Sequence, residues 1–184
     1  MSIEIARGPL LIRSWQVADA EALSHAIEQN LEHLRPFLAW ALDEPKPIGE
    51  RRAMIAAWNE QATACGDETV GLFFGGGVVG GAGLHQRIGP GGLEIGYWVH
   101  RAYARRGFAT SAARALTDHA FATPGVDRVE IKHDAANVAS AGVPARLGFR
   151  RVGGEPREPK APAETGVHVV WWVTREEWAA ANPT

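Results

Sequence analysis

Between Leu93 and Thr110 the chain changes period, and this change constrains the fold more than any other stretch. Leu93-Glu-Ile-Gly-Tyr-Trp-Val99 alternates like a strand, with Glu94, Gly96 and Trp98 on one face and Leu93, Ile95, Tyr97 and Val99 on the other. His100-Arg-Ala-Tyr-Ala-Arg-Arg-Gly-Phe-Ala-Thr110 then turns at Gly107 into a helical run, in which Phe108, Ala112, Leu116 and His119 share a face until Pro124 and Gly125 end it. A strand feeding a helix through such a turn aims the unpaired N–H groups of the first helical turn, and the positive end of the helix dipole, into the loop. Gly107 permits close approach, Ala109 keeps its position small, and Arg105 and Arg106 add charge, which together suit a pyrophosphate. The alternative is an ordinary turn carrying two solvated arginines.

The flanking segments predict a mixed sheet. Leu10 to Ile12 reads as the first strand; Leu23, Ile27, Leu31 and Leu34 share a helical face behind Asp19, a suitable N-cap. Prolines 36, 45 and 47 punctuate the next stretch, so Phe37 to Glu44 is expected to be a turn or broken helix that sends Trp40 outward or into a cleft. Met54, Ile55 and Trp58 mark a second helix. Val70 to Phe74 and Val78 to Leu84 form a hairpin about Gly75 to Gly77, and Arg128 to His133 alternates again. Phe149 to Gly153 and Val167 to Val173 are the last strands, with Gly154 to Thr165 as a long loop, and Thr174 with Glu177 is a capping box for a terminal helix. The pattern predicts an α/β (α+β) domain, mostly antiparallel with one βαβ step, spanning residues 1–184 without a linker.

Composition narrows the function classes. A formal net charge of -2 offers no field for nucleic acid, and the single cysteine, Cys65, excludes an intrachain disulfide or a thiolate cluster. Cys65 has no recognisable base nearby and is not expected to be a nucleophile. The seven histidines lack the close paired spacing of metal ligands, so no metal is expected; His133 is the best exception and still reads as structural. No signal segment or membrane span is legible, and the chain reads as cytoplasmic.

A second block, Asp134-Ala-Ala-Asn137 through Ser140 to Leu147-Gly-Phe149, follows the next strand at the distance a βαβ crossover requires. With the Leu-Ile-Arg first strand, Leu34-Arg-Pro-Phe-Leu-Ala-Trp40, Glu94-Ile-Gly-Tyr-Trp and the Arg-Arg-Gly-Phe-Ala-Thr turn, the chain resembles the GNAT superfamily, and more narrowly its RimJ/RimL-like branch of N-acetyltransferases. The likeness covers nearly the whole chain. It implies a central, mostly antiparallel sheet of about seven strands with a splayed V between the central ones, and acetyl-coenzyme A as cosubstrate.

The resemblance also implies roles. The phosphate loop falls on Ala104 to Ala109, so amides from Arg105, Arg106, Gly107, Phe108, Ala109 and Thr110 bind the pyrophosphate, with Ala104 a departure that removes one side-chain anchor. The backbone of Trp98 and Val99 pairs with pantetheine, and the Val99 amide polarises the thioester carbonyl. Asn137 lies near the pantetheine arm and Ser140 near the departing sulfur. A second departure is Pro144, which suits a first helical position and would leave Ser140 in a structured turn.

Transfer to an amine needs a base, an oxyanion donor and a proton for the thiolate. Glu94 is the candidate base; the alternative is a strand residue that merely attracts a cation. Ser140 is the candidate acid, the alternative being a local cap. Trp171 and Trp172 face opposite sides of their strand, and Trp172 could wall the acceptor pocket with Trp40. The acceptor is either a protein N-terminus, as in ribosomal-protein acetylation, or a small amine; a homodimer is common among look-alikes. A noncatalytic acyl-CoA sensor is the competing class. A dinucleotide-binding domain is disfavoured because Arg105 to Thr110 lacks a Gly-x-Gly start.

Overall fold

Eight strands form one sheet in the computed structural model, which describes residues 3–64 and 66–183. They are β1 (Glu4–Arg7), β2 (Leu10–Ser14), β3 (Glu68–Phe74), β4 (Gly77–His85), β5 (Gly92–Val99), β6 (Arg128–Asp134), β7 (Arg150–Pro156) and β8 (Val167–Thr174). Across the sheet the order is β1-β2-β3-β4-β5-β6-β8-β7, antiparallel throughout except for the parallel pair β5 and β6. The helices are α1 (Ala20–Glu28), α2 (Leu31–Leu34), α3 (Ile48–Ala64), α4 (Phe108–Ala122), α5 (Val138–Arg146) and α6 (Arg175–Ala181).

The sheet has one strand more than the expected seven or so. The addition is β1, whose Glu-Ile-Ala-Arg run is too short and polar to alternate; it is held by pairing with β2, from Glu4 opposite Arg13 to Arg7 opposite Leu10. Gly75 and Gly76, at φ 58° and 81°, turn β3 into β4, since a tight hairpin needs the left-handed region at both central positions.

Each face of the sheet has its own apolar layer. Leu23 and Ile27 of α1, Leu34 of α2 and Ile55 of α3 pack with Trp15 and Phe73 on one side. On the other, Phe108, Ala112 and Leu116 of α4 cover Leu93 and Ile95 of β5 and Val129 and Ile131 of β6. Alanines at 112, 113 and 120 let α4 approach closely, and fully burying a side chain such as Leu116 contributes about 2–3 kcal/mol.

The parallel pair is short. β5 and β6 are in register only from Gly92 opposite Arg128 to Ile95 opposite Ile131. Beyond Ile95, β5 keeps its β4 partner as far as Val99 opposite Gly80, but the two central strands part. This is the expected V.

Three local expectations change. Asp19 precedes α1, yet its carboxylate does not cap that helix: it accepts from both terminal nitrogens of Arg13 at 2.7 and 2.8 Å and from the Gln16 amide at 2.8 Å. Pro144 lies inside α5 and does not start it; the helix opens at Val138, with the Asn137 side chain accepting from the Ser140 amide at 3.3 Å. Ser140 therefore stands in a first helical turn. The loop expected over Gly154 to Thr165 is shorter, because β7 continues to Pro156 opposite Val167. Cys65 lies outside the described residues. The Thr174 and Glu177 capping box forms as expected.

Candidate active site

The parting of β5 and β6 opens a groove of about 920 Å3, bounded by β5, the start of α4, the start of α5 and the segment from Glu32 to Leu38. Its floor follows from strand parity. The His100 amide donates to the Val79 carbonyl at 2.8 Å, and successive residues turn their main-chain groups to alternate edges. Trp98 thus presents its main chain to β4, whereas Tyr97 and Val99 present theirs to the open edge. Of the two backbones singled out in the sequence, that of Val99 turns to the open edge, as does that of Tyr97, while that of Trp98 turns to β4 although Trp98 also lines the groove.

The turn into α4 forms a nest of donors. Arg105 is at φ 60° and Gly107 at 82°, and a chain that alternates through the left-handed region gathers its N–H groups on one side. Arg105 is the only non-glycine at positive φ among the described residues. The Ser111 amide bonds to the Gly107 carbonyl at 2.8 Å, so the amides of Phe108, Ala109 and Thr110 are those a helix start leaves unpaired. A Cβ on Gly107 would meet nothing within 4 Å, so the backbone angle, not crowding by the protein, is what calls for glycine. Arg105 borders the groove; the Arg106 guanidinium instead lies 5.3 Å from the Tyr103 ring centre. The donors and the open strand edge fit a pyrophosphate with an extended amide-bearing arm.

At the far side, Ser140 of α5 and its N-cap Asn137 border the groove. The Tyr97 hydroxyl crosses to α5 and donates to the Ser140 carbonyl at 3.0 Å. Burial pushes this hydroxyl above its ordinary range, so it remains a donor. In the sequence Tyr97 is marked only by its strand face, which says nothing of its hydroxyl's partner.

The other wall was also missed. It is held from beneath: Arg35 donates to the carbonyls of Ala41 at 3.2 Å and Glu44 at 2.7 Å, and the buried Arg51 guanidinium meets the Glu44 carboxylate at 2.5 Å. Trp40, 39% exposed, rests against Trp98 with ring centres 6.2 Å apart, outside the groove lining. His33 lines the wall, held below its ordinary value by burial and then by Arg101 and His100.

Glu94 stands elsewhere. It points to the sheet face opposite α4 and pairs with Arg87. There it borders a second, polar cleft of about 310 Å3 with Lys132, Glu155, Arg157 and His168. Burial, then Arg157, depresses the His168 imidazole, and His85, across from Glu94 on β4, is depressed by burial and then by Arg87. Trp172 lies on the same face but borders neither cleft; its ring sits 5.3 and 5.8 Å from the guanidinium carbons of Arg128 and Arg150. The two tryptophans proposed to share a pocket, Trp40 and Trp172, are not brought together there. His133 is a packing residue: Trp171 donates to its Nε2 at 3.0 Å, which leaves Nδ1 as the donor to the Asp134 carbonyl at 2.8 Å. No group of three or more metal-ligating side chains occurs among the described residues, and no helix there is long and apolar enough to cross a membrane.

Residues 9–150 match the acetyltransferase (GNAT) domain family. The putative ribosomal N-acetyltransferase YdaF of Bacillus subtilis is 31% identical over 145 residues, covering 78% of this chain and 79% of its own. A crystal structure of a probable acetyltransferase superposes with a TM-score of 0.87 at 27% identity, covering 96% of this chain and 99% of that one. The ribosomal L7/L12 alpha-N-protein acetyltransferase RimL, solved in complex with coenzyme A, shares the fold at a TM-score of 0.84 and 19% identity, over 94% of this chain and 98% of that one.

Proposed function

The chain belongs to the acetyltransferase (GNAT) domain family and is an N-acetyltransferase that takes its acetyl group from acetyl-CoA; we propose that its acceptor is the α-amine of a protein N-terminus. The observation that carries this reading is the opening of β5 beyond Ile95, directly beside the donors at Gly107 to Thr110. The names of the relatives, ribosomal N-acetyltransferases among them, support a protein acceptor over a small amine.

Acetyl-CoA supplies an activated acyl group whose carbonyl needs polarising and whose thiolate needs a proton. Amides at Phe108 to Thr110 hold the pyrophosphate, and the open-edge main chain of Tyr97 and Val99 takes the pantetheine arm. The Val99 amide donates to the thioester oxygen as negative charge grows there. Glu94, on the acceptor side, receives the ammonium proton through water, because its carboxylate borders the second cleft and not the first. The amine nitrogen bonds to the acetyl carbon, the carbon–sulfur bond breaks, and the Ser140 hydroxyl gives its proton to sulfur and regains one from the nitrogen as the amide forms. In this reading residues 1–184 act as one domain in the cytoplasm.

The test is coenzyme A release with a panel of amines. Peptides with free N-termini are expected to be acetylated, and the same peptides blocked at the α-amine but carrying lysine are not. Turnover of polyamines or amino sugars with inert peptides would contradict the proposal.

A further inference from the structure

We propose that the polar cleft beside Glu94 reads a carboxylate carried close to the acceptor amine, with Arg157 as the reading group, so that the preferred N-termini bear Asp or Glu at the second residue. This rests on the N-terminal acceptor reading above. Charges within the cleft are nearly matched among themselves. Arg87 is paired with Glu94, and Lys132 is shared between Glu155 at 3.4 Å and Glu130 at 3.5 Å. Arg157 is in no ion pair among the described residues; its one side-chain contact is with Nδ1 of His168 at 3.4 Å. A guanidinium only donates, so Nδ1 of His168 is the acceptor in that contact, and most of the N–H groups of Arg157 are left to face the cleft.

The cleft thus runs from the Glu94 carboxylate, which can still accept from an ammonium beside its Arg87 partner, to one surplus cation at Arg157. An acceptor carrying an amine and one nearby carboxylate complements both, and a guanidinium fork can take a carboxylate through two parallel hydrogen bonds. Arg157 is mounted for this. Its own amide donates to the Gly166 carbonyl at 2.9 Å, and the Thr165 and Gly166 amides are fastened to the buried Asp134 carboxylate at 2.9 and 3.2 Å. With a volume of about 310 Å3, the cleft lies at the small end of ligand pockets and accepts the first residues of a chain only.

The experiment is competitive acetylation of paired peptides that differ only in Asp or Asn at the second residue, with acetyl-CoA in excess. The wild-type protein is expected to favour the Asp peptide about tenfold in kcat/KM, the scale of a hydrogen bond between charged groups. In Arg157→Gln the Asp-to-Asn ratio should fall to near one, and in Arg157→Glu a second-position Lys should become the favoured residue. A ratio near one in the wild type, or a ratio unmoved by Arg157→Gln, overturns the inference while leaving the N-terminal reading intact. Inert peptides with acetyl-CoA still bound would overturn the N-terminal reading, and this inference with it.

Discussion

The Tyr97 hydroxyl donates to the Ser140 carbonyl at 3.0 Å, in the place where an α-helix would normally put the N–H of residue 144. That residue is Pro144, which has no N–H. The proline frees one carbonyl of α5, and β5 takes it up from across the opening between the central strands. Ser140 and Asn137 are thereby fixed relative to the strand that lines the groove.

Tyr97→Phe is expected to lose about 1 kcal/mol, a fall of about 2–4 °C in Tm for a chain of this size. Coenzyme A release should slow as well, since Ser140 loses its anchor. Adding Pro144→Ala to the Tyr97→Phe variant restores a donor to the same carbonyl, so the two changes should be clearly non-additive in thermal unfolding. Strict additivity would mean that the two residues do not share this oxygen.

The groove wall depends on a buried charge pair. Arg51 is 1% exposed and Glu44 5%, with the Ser24 hydroxyl accepting from Arg51 Nε at 3.2 Å. Removing one partner of such a pair leaves the other charge stranded, at about 3–5 kcal/mol. Arg51→Met should therefore destabilise strongly in denaturant titration, and Arg51→Met with Glu44→Gln should recover much of the loss. Equal instability in the single and double variants would remove the pair as the cause.

His119 and Glu68 link α4 to β3 through a contact of 2.9 Å, and the hydrogen bond to Glu68 raises the imidazole above its ordinary value despite burial. A raised folded-state value stabilises most below the unfolded value, near pH 6.5, and the contribution fades as pH rises through the folded value. His119→Gln should lower Tm relative to wild type at pH 5.5 more than at pH 9. A pH-independent difference would show that the charged pair does not contribute.

What could be read from the sequence divides along physical lines. The β5-to-α4 passage was legible because a change of period and a left-handed glycine are local signals: Leu93 to Val99, Gly107 and the helix after it all stand where expected. Asn137 and Ser140 reach the groove because their spacing from β6 is set by a short crossover. Other features depend on pairing partners that no local pattern announces. β1 exists through its pairing with β2, and the groove wall through Arg51, which is seven residues from Glu44. Tyr97 looked like core, and only the gap left by Pro144, on a separate element, gives its hydroxyl a role. Strand alternation placed Glu94 on a face but did not reveal that this face opens onto a cleft apart from the groove beside α4.

The central claim is that main-chain donors do the holding, and amide hydrogen exchange read residue by residue, with and without acetyl-CoA, tests it most directly. Adding acetyl-CoA should slow exchange at Phe108, Ala109 and Thr110 and at the open-edge amides of Tyr97 and Val99, while Trp98, already turned to β4, changes little. Unchanged exchange at all five amides in the presence of saturating acetyl-CoA would contradict the account.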